Sequence, residues 1–140
     1  MKRITFLPLS LLFLSNIAFG QYYIGNTPEE ILGEIQAKAT MIMKNYNEQR
    51  ELILSWIENG DTKYAVYFSG ETSYKTFIIP LSDRTLIQWY RVINSSLPKA
   101  AGKESVWISY TKTGTFQLRL VYYPGSVAKC FEVTKTDEYF

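Results

Sequence analysis

The stretch from Glu51 to Pro80, "ELILSWIENGDTKYAVYFSGETSYKTFIIP", decides the fold class. Leu52, Leu54 and Trp56 alternate with Ile53, Ser55 and Ile57, a period of two that is apolar on both sides, as in a central strand. Asn59-Gly60, inside "ENGD", is a strong hairpin signal, because both residues tolerate the positive φ that a tight turn demands. Tyr64, Val66 and Phe68 form the returning strand. Ser69-Gly70-Glu71 turns the chain again, and Tyr74 to Ile79 reads as a third strand that Pro80 stops. Connections this short imply antiparallel pairing.

Working outward, Thr27-Pro28-Glu29-Glu30 opens a helix: Thr27 caps, Pro28 suits the first helical position and Glu30 completes a capping box. Ile31, Ile35, Ala39, Ile42 and Tyr46 then recur with helical spacing, and Asn45 and Asn47 mark the expected end. On the other side, Ser82-Asp83 starts a second helix with Leu86, Trp89 or Tyr90, Ile93 and Leu97 on one face. Val106 to Tyr110 is a strand and "KTGT" a turn. Phe116 to Tyr123 is a long strand, with Phe116, Leu118, Leu120 and Tyr122 opposite Gln117, Arg119, Val121 and Tyr123. Pro124-Gly125 turns the chain, and Ala128 to Val133 closes it. The expected fold is α+β, an antiparallel sheet in the order α-β-β-β-α-β-β-β with both helices on one sheet face.

Residues 1–20 stand apart from this fold. Lys2-Arg3, the apolar run from Ile4 to Leu14 and the small residues of Ala18-Phe19-Gly20 follow the order of a secretory signal peptide. Pro8, Ser15 and Asn16 leave that run short of the ~20 apolar residues of a spanning helix. A lipid-attached cysteine is excluded because the only cysteine is Cys130. The reading is therefore a single domain, 21–140, exported to the periplasm or the exterior with no stable membrane anchor after cleavage. A lone cysteine makes no internal disulfide, so this exported domain stands on packing alone.

The remaining chemistry is narrow. The chain has 15 Lys+Arg and 13 Asp+Glu, and Lys2 and Arg3 leave with the signal, so the exported chain is formally neutral. Its basic residues are scattered singly, which argues against nucleic acid as a partner. The absence of histidine removes the commonest general base and metal ligand, and no cofactor motif or metal site is readable. A carboxylate-pair hydrolase is the surviving enzymatic alternative, with Asp61, Glu71, Asp83 and Glu104 at strand ends or loops. A self-assembling envelope protein, a homodimer joined through an edge strand or Cys130, is another.

Aromatic content points to binding instead. Eleven Tyr, three Trp and the five Phe beyond the signal lie largely on strands, where alternation turns some rings away from the helices. Tyr67, Trp107 and Tyr123, with Arg119 and Gln117 as polar neighbours, form a candidate contact surface for a protein, peptide or glycan.

Gly25-Asn26-Thr27-Pro28-Glu29-Glu30-Ile31 resembles the motif G-x-[ST]-x-x-[EDQ]-[IVL] that opens small envelope domains of the β-lactamase-inhibitor-like type, among them the SmpA/OmlA lipoproteins. More broadly, the order of signal peptide, helix, meander, a helix ending near Ile93-Asn94 and the strand Val106-Trp107-Ile108 resembles that of small secreted bacterial proteins of unassigned activity. The resemblance implies a non-catalytic, partner-binding envelope domain. The lipoprotein cysteine is missing here, so membrane tethering does not carry over. Mass spectrometry of the exported protein is expected to find Gln21 as its first residue; a chain retaining residues 2–20 would overturn the signal reading.

Overall fold

The computed structural model describes residues 23–136, so the expected signal peptide, 1–20, lies outside the described residues. Among the described residues two helices and seven strands follow one another as α1 (Pro28–Ile35), β1 (Ala39–Tyr46), β2 (Leu52–Glu58), β3 (Thr62–Ser69), β4 (Thr72–Pro80), α2 (Asp83–Ser96), β5 (Val106–Thr111), β6 (Gly114–Tyr122) and β7 (Lys129–Thr136). All strands join one antiparallel sheet in the order β1-β2-β3-β4-β7-β6-β5. The α+β class holds, with seven strands in place of the expected six.

The extra strand comes from the expected first helix. Its capping box forms as read, with Thr27 N–H donating to Glu30 Oε1 at 3.0 Å and Glu30 N–H to Thr27 Oγ1 at 3.3 Å. The helix then stops at Ile35, and Ala39–Tyr46 pairs with β2 instead. Ile31 and Ile35 are buried, whereas Ile42 is 41 % exposed and Tyr46 72 % exposed. Ile42 and Tyr46 are four residues apart, an even spacing that suits one side of a strand as well as one face of a helix. What decides between them is β2, whose outer backbone groups need partners and find them in β1.

The hairpins form where the turn residues put them. Asn59 and Gly60 take φ of 57° and 68°, and Asp61 N–H donates to Glu58 O at 3.3 Å. β1 also carries an irregularity at Met41, with φ of 54°, where its register with β2 shifts.

Antiparallel registry lines up side chains from strand to strand on a common face. Leu54, Val66, Thr76, Val133, Leu118 and Trp107 lie opposite one another across six strands. All but Thr76 belong to one cluster of buried residues, together with Trp56, Phe68, Phe131, Ile31 and Ile35 of α1, and Trp89 and Ile93 of α2. Three indole N–H groups find acceptors: Trp56 on Glu58 Oε2 at 2.8 Å, Trp89 on Thr62 Oγ1 at 3.1 Å and Trp107 on Asn94 Oδ1 at 3.3 Å. Tyr23 inserts edge-on to Trp56 with ring centroids 5.2 Å apart. The chain behind it is tied down at β4, where Gly25 N–H donates to Ser73 O and Ser73 N–H to Asn26 O.

Glu58 is buried, and the Trp56 indole donates to it. Trp56→Phe leaves that carboxylate without its indole donor, so stability to urea is expected to fall by about 1–3 kcal/mol. An unchanged urea midpoint would show that the indole bond contributes nothing.

Candidate functional site

The opposite face of the sheet carries the second hydrophobic cluster: Ala65, Tyr67, Phe77, Ile79 and Cys130 are buried, with Ile53, Val121 and Tyr123 packed against them. Registry builds it. Ile53, Tyr67, Lys75, Thr134 and Gln117 are opposite one another, and the neighbouring row holds Ala65, Phe77, Glu132 and Arg119. Four of the five sequence candidates, Tyr67, Tyr123, Gln117 and Arg119, therefore share this face.

Trp107 does not. It lies opposite Leu118, is fully buried and packs edge-on to Tyr90 and Phe131 in the other cluster. Val106, Trp107 and Ile108 are apolar in succession, so alternation alone gave β5 no sign. The expectation of a shared Tyr67–Trp107–Tyr123 surface is corrected on this point: Trp107 is a core residue and presents no surface to a ligand.

Phe77 is the centre of the second cluster. Tyr67 and Tyr123 approach it edge-on, with centroids 5.4 and 5.1 Å away, and their hydroxyls share a hydrogen bond of 3.0 Å. Burial first, and the Tyr123 hydroxyl second, hold the Tyr67 phenol well above its ordinary range, so it stays neutral. Lys75 places its Nζ 5.0 Å from the Tyr67 ring, 5.5 Å from Tyr74 and 5.3 Å from Phe77. Glu132 carries its counter-charge, 4.0 Å from Lys75 and 3.8 Å from Arg119. Cys130 is fully buried, and burial pushes its thiol up to about 12, with the Glu132 charge adding to the shift. A thiol so placed is neither an available nucleophile nor an accessible disulfide partner.

Beside this cluster runs a groove of 770 Å³, bounded by the β1–β2 loop and the Pro124–Gly125 turn. Tyr46 and Tyr74 stand at it, 72 % and 36 % exposed, and Tyr67, Tyr123, Ile53 and Lys75 also line it. A small hydrogen-bonded ring holds its loop: Asn47 Nδ2 donates to Glu51 Oε1 at 2.8 Å, and Glu51 N–H returns to Asn47 Oδ1 at 2.9 Å. The Tyr74 hydroxyl donates to the same Glu51 oxygen at 2.9 Å. Asn47 first and Tyr74 second pull the Glu51 carboxyl below its usual range. Burial, and then the Glu51 bond, push the Tyr74 phenol up to about 12.

Sequence reasoning missed Lys75, Tyr74, Glu51 and Tyr46. A signal existed for the first: Lys75 and Phe77 are two apart on one strand, so they share a face. Tyr46 was unreadable while it counted as helical. The acids Asp61 and Glu71 fall in the turns at opposite ends of β3, roughly 25 Å apart at the rise of a strand. Asp83 is the first residue of α2, and Glu104 lies in the connection to β5. Among the described residues no group of three Cys, Asp or Glu could hold a metal ion, and no helix is long and apolar enough to cross a membrane. Comparison with known protein families, characterised proteins and solved structures gave no match.

The Glu51 ring has a pH signature. A carboxyl whose folded pKa is depressed contributes stability above its unfolded pKa and loses it as pH falls through the folded value. Carbon-detected titration is expected to give Glu51 a midpoint below the ordinary Glu range of about 4.3. Tyr74→Phe should raise it; a midpoint indifferent to that change would deny the Tyr74 bond in solution.

Proposed function

We propose that the chain is an exported, non-catalytic binding module whose contact surface is the groove beside Tyr67 and Tyr123. The observation that carries this reading is the pairing of ordered aromatic rings with exposed ones, Tyr46 and Tyr74, at a groove with polar loops on its rim. Both helices lie against the opposite face in this reading. Support comes from Ile31, Ile35, Trp89 and Ile93 sharing one cluster with Trp56 and Trp107. The secretory pattern of residues 1–20 and the resemblance to partner-binding envelope domains agree with such a role.

The hydrolase alternative is weaker. Glu48 and Glu51 line the same groove, but a paired-carboxylate mechanism needs one acid that keeps its proton. Asn47 and Tyr74 both donate to Glu51 and favour its anion, which leaves the acid's part to Glu48, a solvent-exposed side chain on the loop. Self-association through β1 draws on the exposed Met41, Ile42 and Met43 of that edge strand. The irregularity at Met41 and the charge of Lys44 work against a continuous intermolecular ladder there.

The test is a titration of the isotope-labelled protein, residues 21–140, with a panel of soluble oligosaccharides and extended peptides, followed by amide chemical shifts. Shifts are expected to cluster on residues 46–53, on Tyr67, Tyr74 and Lys75, and on residues 123–125. Shifts confined to the helices, or no saturable response to any member of the panel, would overturn the binding reading.

A further inference from the structure

The groove resting on this reading has a chemistry that narrows its ligand. Two of its three charged groups are already engaged within the protein, and the third, Glu48, is an exposed side chain without a partner among the described residues. Lys75 is surrounded by three rings and faces Glu132. Glu51 accepts from Asn47 and Tyr74 through one oxygen. An anionic ligand would meet the charge of Glu48 and would have to draw Lys75 away from Glu132 and its three rings. Two neutral groups there have no hydrogen-bond partner among the described residues, the Gln49 amide and the Tyr46 hydroxyl.

Shape argues in the same direction. The groove crosses the end of the sheet from Tyr46 on β1 to the Pro124–Gly125 turn after β6, passing Ile53, Tyr67 and Tyr74 on intervening strands. A ligand lying in it runs across the strands and meets no free strand edge. An extended peptide would therefore leave its main-chain amides without the ladder that gives strand-addition complexes their affinity. A chain of sugar rings needs no such ladder. It offers hydroxyls to amides and phenols, and faces of C–H bonds to tyrosine rings. The volume, 770 Å³, falls within the ~300–1,000 Å³ of small-ligand sites.

We propose that the groove between the β1–β2 loop and the Pro124–Gly125 turn is a binding site for an uncharged oligosaccharide, stacked on Tyr46 and Tyr74 and hydrogen-bonded by Gln49. This deepens the binding-module reading and depends on it. Tyr46 is a good probe because its exposure lets it be removed without opening the core.

The test uses calorimetry and amide shifts on the protein from residue 21 onward, with three sets of ligands. These are neutral hexasaccharides of glucose, xylose and N-acetylglucosamine, their uronic or sulfated counterparts, and extended peptides of mixed sequence. At least one neutral sugar is expected to bind saturably at the groove, with affinity insensitive to salt. Tyr46→Ala and Tyr74→Ala should each weaken it about tenfold, while Tyr74→Phe, which keeps the ring, should weaken it less. Binding to peptides or charged sugars alone would overturn the glycan inference and leave the binding-module reading standing. A neutral sugar that binds equally well to Tyr46→Ala and Tyr74→Ala would overturn it too. Silence of the groove toward all three sets would overturn both.

Discussion

The pairing of β4 with β7 makes one sheet out of two meanders. Lys75 to Ile78 run against Phe131 to Thr134 in four register pairs, the one strand pairing among the described residues between β1–β4 and β5–β7. Its consequences differ on the two faces. On one, Ile78 meets Phe131 and Thr76 meets Val133, which carries the core from Leu54 through to Trp107. On the other, Phe77 meets Glu132, which brings Glu132 within reach of Lys75 and stands Tyr123 against Phe77. A slip of one residue at the seam would exchange the two sets, burying Glu132 in the core and exposing Phe131. Core and groove are thus specified by the same four pairs.

The edges of the sheet are finished differently. Beyond β5, the chain at Pro98–Ala100 folds back: Ala100 N–H donates to Val106 O and Ile108 N–H to Pro98 O, each at 2.9 Å. Beyond β1 no strand follows among the described residues, and the protection is local, from Lys44 and the left-handed Met41. The β1 end of the groove is consequently open while the β5 side of the sheet is closed, which is why Tyr46 is free to stand out from the surface.

How much of this the sequence could show follows from the range of each interaction. The cap at Thr27, the Asn59-Gly60 turn, the start of α2 at Ser82 and the alternation of β2 and β6 are local, and all were legible. The identity of β1 was not, because Ile42 and Tyr46 fit two periods equally and the deciding partner, β2, is remote in the pairing sense. The face of Trp107 was illegible because its neighbours on both sides are also apolar. Tyr67, Tyr123, Gln117 and Arg119 could be assigned to one face by alternation within their strands. That Lys75 sits among their rings, and that Glu51 is tied to Tyr74, depends on the β4 register and on a loop whose shape no short-range pattern encodes.

Lys75 also shows why the second face is ordered without a strong bond anywhere in it. Each ring contact of a partly exposed ammonium is worth about 0.5–1 kcal/mol. The ion pair to Glu132, at 4.0 Å and partly solvated, belongs to a class worth about 0–1 kcal/mol. No single term fixes the side chain; the agreement of several does. The groups beneath it add no competing charge, since burial keeps the Cys130 thiol and the Tyr67 phenol neutral. The result is a surface on which Lys75 is matched in place and the Tyr67 and Tyr123 rings are held edge-on by Phe77. Such a surface would have little reorganisation left to perform for the ligand proposed above, to which it would offer shape, ring faces and the neutral groups of Gln49 and Tyr46.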